Sequence, residues 1–214
     1  VTFGDPFVEP GKTVLDMSAT RGEMRGPATP TNPLRPGPLE WPFGTSAEGQ
    51  RVELRAMQAK PNSGLYAGFL MDPQRRLSYF TMYHQHYRVL IGYIWRTQDF
   101  PWMGDWQENR RAKQPPWNGQ VIARGMEFGT TPFGGPMRQV VEEGRLFGVP
   151  VYRWIGGGER LTARYLAFLA EIPAGFRGVA DVQVGDKTIV ITERETGNRI
   201  AVAGAPAARL DSPE

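Results

Sequence analysis

Hydrophobic residues in this chain gather in short aromatic or β-branched stretches separated by turn residues. That pattern predicts β-strands rather than helices. Strands are expected over Val52–Met57, Leu65–Met71, Leu77–Tyr83 and Tyr87–Trp95. Pro61-Asn62-Ser63-Gly64 and Asp72-Pro73 punctuate the first three. Val121–Thr130, Val151–Ile155 and Leu161–Ile172 continue the series. Val182–Val184 and Thr188–Thr192 flank Gly185-Asp186, a two-residue hairpin signal with Gly first. Gly197-Asn198 marks a reversal before Ile200–Val202. Arg138–Glu143 is the one fair helix candidate, and Pro206–Glu214 reads as a tail.

Residues 1–50 carry little periodicity. The stretch Gly26 to Gly44 is so rich in proline that it cannot hold a helix. Its apolar residues Leu34, Leu39, Trp41 and Phe43 predict an ordered loop crossing a surface. About ten strands with almost no helix argue for an all-β, antiparallel β-sandwich over residues 1–205, and against βαβ units.

Composition supports this picture. Gly 26 and Pro 19 make up about a fifth of the 214 residues, which suits many turns between short strands. The 40% hydrophobic content is enough to bury a core. Cysteine is absent, which excludes a disulfide scaffold, a thiol nucleophile and a thiolate metal site, and leaves the compartment open. A net charge of +3 with no long run of like charge gives little support to a nucleic-acid partner. No apolar run is long enough for a membrane span. The chain opens on Val1 without Met or signal peptide, which suggests a processed piece of something longer.

Three clusters could carry chemistry. In Ile122–Gly129, strand alternation sets Glu127 on one face with Ala123, Gly125 and Gly129, so the carboxylate stands on a strip cleared of side chains. A base facing a flat substrate would need this, although a solvated Glu on an outer strand face fits the pattern too. Arg124 points to the other face unless a bulge intervenes.

The second cluster runs from Trp95 to Trp117 and holds four of the six tryptophans, Trp95, Trp102, Trp106 and Trp117. Asp99, Asp105, Gln107, Glu108, Asn109, Arg110 and Arg111 lie among them. Indoles beside carboxylates and amides suit sugar rings. The same indoles could instead plug a loop's own small core, or stack nucleic-acid bases. In the third cluster, the alternation of Tyr83-His84-Gln85-His86-Tyr87 would bring both histidines to one strand face. A shared metal would need a third ligand from elsewhere. Gly156-Gly157-Gly158 lacks the context of a phosphate cradle.

The stretch Ala123-Arg124-Gly125-Met126-Glu127-Phe128-Gly129-Thr130-Thr131-Pro132-Phe133 resembles the glutamate-bearing strand of the galactose mutarotase-like (aldose 1-epimerase) superfamily. Residues 99–109 resemble a loop of its sugar-binding members. Residues 1–11 are similar to the segment that follows a central histidine there. The resemblance implies a large antiparallel sandwich that interconverts sugar anomers by general acid–base ring opening, with no cofactor and no metal. It implies Glu127 as the base, helped by burial among apolar neighbours. Trp102, Asp105, Trp106, Glu108, Trp117 and Arg124 are the candidate sugar contacts.

The implied histidine acid would lie immediately before Val1, and His84 and His86 do not match that motif. The expected partner is therefore a small sugar or a glycan, with neither nucleic acid nor membrane, and the chain is expected to be the C-terminal portion of a longer sandwich. The alternative is a non-catalytic module that binds sugar or protein.

Overall fold

The structure, a computed structural model, describes residues 1–26, 29 and 31–211. Pro27, Ala28 and Pro30 of the proline-rich stretch, and residues 212–214 of the expected tail, lie outside the described residues.

Strands come first and dominate. They are β1 (Thr2–Gly4), β2 (Thr13–Met17), β3 (Ala19–Met24), β4 (Gly37–Glu40), β5 (Phe43–Thr45) and β6 (Arg51–Glu53). The long central strands follow: β7 (Ser63–Met71), β8 (Leu77–His84), β9 (Val89–Arg96), β10 (Trp102–Asn109) and β11 (Ile122–Gly129). Then come α1 (Met137–Glu143), β12 (Arg145–Leu146), β13 (Val149–Pro150) and β14 (Tyr165–Glu171). The chain closes with β15 (Val179–Val184), β16 (Thr188–Glu193), β17 (Arg199–Ala203) and α2 (Pro206–Asp211).

The fold is all-β and its sheets are antiparallel, as the run of short strands with few helices predicts. Eight strands form the large sheet in the order β1-β11-β10-β7-β3-β4-β5-β6. Four form a second sheet, β14-β9-β8-β2, and β15-β16-β17 make a third. The large and second sheets enclose one core, which includes Leu15, Met17, Leu65, Phe69, Phe80, Met82, Trp95, Met103 and Met126. The other face of the second sheet (Tyr79, Tyr83, Leu90, Ile94, Phe168) packs on Val182, Ile189 and Ile191 of the third. Because the second sheet is buried on both faces, β8 is buried from Ser78 to His84.

Buried polar bonds tie the layers together. Asp16 on β2 accepts from Arg55 Nε (2.9 Å) and from the backbone N–H of Val179 on β15 (2.8 Å), and it also meets Arg194.

Several expectations shift. Residues 102–109 belong to β10, hydrogen-bonded between β7 and β11, where the alternation pattern suggests only a connecting segment. Val52–Met57 is a strand only as far as Glu53. Beyond it the Leu54 and Arg55 carbonyls turn inward to accept from Arg124, and Leu15 N–H bonds Arg55. Val151–Ile155 is not a strand, and Trp154 and Ile155 project into solvent. Residues 1–50 hold β1 to β5 despite their weak periodicity. The third-sheet hairpin turns on Asp186 and Lys187, one residue later than expected, closed by Gly185 N–H to Thr188 O (2.9 Å). Residues 206–211, expected as tail, form a helix that buries Leu210 in the second core.

Candidate functional site

The outward face of the large sheet is read directly from its register. On β11 it carries Ala123, Gly125, Glu127 and Gly129. On β10, directly opposite, stand Glu108, Trp106, Gly104 and Trp102. On β7 stand Gly64, Tyr66, Gly68 and Leu70. Glycine therefore alternates with large side chains along each strand around Glu127, and across from β10 to β11. The strip around Glu127 is cleared of its own side chains, as its spacing predicts, but it is not left bare. A Cβ on Gly104 would collide with the Tyr66 hydroxyl, and one on Gly125 would come within 3.1 Å of the Trp106 ring. A Cβ on Gly68 would lie 2.9 Å from the Phe133 ring. Each glycine thus lets a neighbouring ring lie down on the sheet, and the result is a low aromatic surface with one carboxylate standing in it.

Tyr66 crosses over Gly104 to reach that carboxylate. Its hydroxyl donates to Glu127 Oε2 at 3.1 Å. Burial pushes the Tyr66 phenol well above the ordinary tyrosine range, and the negative charge of Glu127 pushes it further. Tyr66 is therefore a neutral donor at physiological pH. Glu127 itself is exposed, contrary to the expectation of burial among apolar neighbours. Trp106 and Trp117 are half-buried and meet edge to face, with ring centroids 5.8 Å apart. On the other flank the Phe133 ring lies 6.1 Å from Tyr66, and the Arg25 guanidinium sits 4.0 Å from its centre.

The remaining candidates are structural in this arrangement. Trp102 is fully buried beneath the β12–β13 hairpin and donates from Nε1 to the Pro150 carbonyl (2.8 Å). Asp105 and Arg124 lie on the inward face, as the strand geometry requires. Arg124 grips Asp105 with Nε (2.9 Å) and Nη2 (2.7 Å), and also donates to the Leu54 and Arg55 carbonyls. Gln107 completes this buried network by donating to Asp105 (2.9 Å). Glu108 is buried, and its carboxylate caps the turn after β10 by accepting from the Arg111 and Ala112 backbone N–H groups. None of these four groups can touch a ligand without unpacking the sheet. Trp95 is likewise core, stacked on Phe128 at 4.5 Å.

The histidines do not share a strand face. His84 ends β8, is buried, and bonds Glu9 through Nε2 (3.1 Å), whereas His86 sits exposed in the following turn. Among the described residues no three His, Cys, Asp or Glu side chains gather as a metal site would require.

Of the seven candidate residues, the fold brings Glu127, Trp106 and Trp117 to one surface. It adds Tyr66 and Phe133, which the sequence reading missed. Gly64-Leu65-Tyr66-Ala67-Gly68 carried the signal for Tyr66, because it sets one large polar ring between two glycines on a strand face, the same device as at Glu127. Comparison with protein-family models, curated proteins and solved structures returns no match.

Proposed function

We propose that this protein binds carbohydrate on the outward face of its large sheet, as a mutarotase-like sandwich, with Glu127 and Tyr66 at the centre of the site and Trp106 and Trp117 as its aromatic wall. The observation that carries the reading is the Tyr66–Glu127 hydrogen bond on a glycine-cleared aromatic surface. A sugar ring has an apolar face and a polar edge. The rings offer the former a surface, and the latter meets the Glu127 carboxylate and the Tyr66 oxygen, whose one hydrogen is given to that carboxylate. A glycan array followed by titration of the best ligand tests it. Glu127→Gln and Trp106→Ala are each expected to weaken binding about tenfold or more, a loss of about 1.4 kcal/mol. Absence of any glycan ligand removes the proposal.

A second reading is anomer exchange by ring opening, with Glu127 as base. One observation favours it. Val1 and Met126 exchange both backbone hydrogen bonds (3.0 and 2.8 Å), so β1 stays in register with β11 up to Val1. Any residue joined ahead of Val1 and continuing that strand would stand across from Glu127 on the same face. The family resemblance implies a histidine at that position. Anomer exchange of a sugar panel, followed by NMR with and without a histidine joined ahead of Val1, tests this reading. Acceleration only with the histidine present, lost in Glu127→Gln, is the expected result. Sugar binding without exchange in either form leaves a non-catalytic binding module.

A further inference from the structure

The aromatic surface does not stop at Glu127. Phe133, which touches Tyr66 on one side, also lines a separate cleft of about 280 Å³. Thr130, Thr131, Met137, Tyr152 and Trp154 are among the residues that line it. The cleft begins where β11 leaves the sheet, only a few residues beyond Glu127. Trp154 is 72% exposed and Met137 70% exposed, although both belong to residue types that folding normally hides. Tyr152 meets Trp154 edge to face at 5.3 Å, which holds the indole at the rim of the cleft. Arg153 lies between them in sequence and also lines the cleft, with its guanidinium 4.0 Å from Asp99.

A path of rings therefore runs from Trp117 through Trp106, Tyr66 and Phe133 to Tyr152 and Trp154. Trp106 and Tyr66 are directly opposed on neighbouring strands. The path is several ring widths long, with Glu127 beside Tyr66 and with Thr130 and Thr131 in the cleft. A single pyranose cannot reach both the Trp106–Trp117 wall and the Trp154 cleft.

Building on the carbohydrate reading, we infer that the ligand is an oligosaccharide, bound in at least two subsites: one at Glu127 and Tyr66, the other in the Phe133–Trp154 cleft. A linear chain of linked rings has the repeat of apolar face and polar edge that this path repeats. A lone sugar would leave the outer indole exposed and without use.

The test is a ladder of mono- to hexasaccharides of glucose, galactose, mannose and xylose, titrated calorimetrically against the intact protein and Trp154→Ala. Affinity is expected to rise with chain length up to the size that spans both subsites. In Trp154→Ala the ratio of long-chain to monosaccharide affinity should fall about three- to tenfold, the range expected for losing one aromatic contact. Because Trp154 lies at the surface, the variant should fold, and its circular dichroism and melting temperature check this. An unchanged ratio in Trp154→Ala, or monosaccharides that bind as tightly as longer chains, overturns the two-subsite inference and leaves the carbohydrate reading standing. No binding by any member of the ladder removes both.

Discussion

Glu127 and Tyr66 reach each other only because nothing stands on Gly104 between them. Gly104→Ala is therefore the sharpest test at the scale of a residue. The new methyl group would meet the Tyr66 hydroxyl, the free end of a half-buried side chain, so the ring should swing away while the sheet persists. Loss of one partly solvated hydrogen bond costs about 1 kcal/mol or less in stability. Sugar affinity should fall far more than that, and titration beside thermal melting separates the two effects. An Ala variant that binds as well as the parent would mean that Tyr66 does not shape the site. Arg124 behaves in the opposite way. It is buried and saturated by Asp105 and two carbonyls, so Arg124→Met strands a buried carboxylate and should cost about 3–5 kcal/mol in urea unfolding. A loss below about 1 kcal/mol would contradict its structural role.

At the scale of elements, strands were legible wherever aromatic and β-branched residues ran together between turn residues. β7, β8, β9, β11 and the third-sheet hairpin all fall close to where apolar spacing places them. β10 was hidden because its inward positions carry Asp105, Gln107 and Asn109 instead of aliphatic residues. Those groups are neutralised by a hydrogen-bond network that only the folded neighbours reveal. The site was half legible for the same reason. The bare strip around Glu127 could be seen along one strand, but the side chains that fill it come from β10, from β7 and from residues 130–133. The same glycine device recurs away from the site, where Phe168 on the edge strand β14 lies over Gly92 of β9, its register partner. Phe168 also joins the second sheet to the third. Phe168→Ala should cost about 3–5 kcal/mol and lower hydrogen-exchange protection in β15–β17 before the large sheet is affected. Uniform loss of protection would show that the layers unfold as one.

For the whole molecule, burial of three phenols, Tyr79 and Tyr83 between layers and Tyr66 on the outward face, makes the fold sensitive to alkali. Burial pushes Tyr83 up to about 12, and it raises Tyr79 and Tyr66 further. The folded state therefore holds these protons more tightly than the unfolded chain does, so their contribution is complete below about pH 10 and is lost as pH rises toward 12. Ultraviolet titration should show three of the seven tyrosines ionising late, together with unfolding. Seven groups titrating near pH 10 in a folded protein would contradict the burial described. In the proposed function the layers matter because one face of the large sheet packs on the core while the outward face carries Glu127, Tyr66, Trp106 and Trp117. The most direct measurement of that claim is calorimetric titration of the best array-selected glycan against the parent protein and Glu127→Gln. Saturable binding that weakens about tenfold or more in the variant is the predicted result. Equal binding by both proteins, or no glycan bound by either, would contradict it.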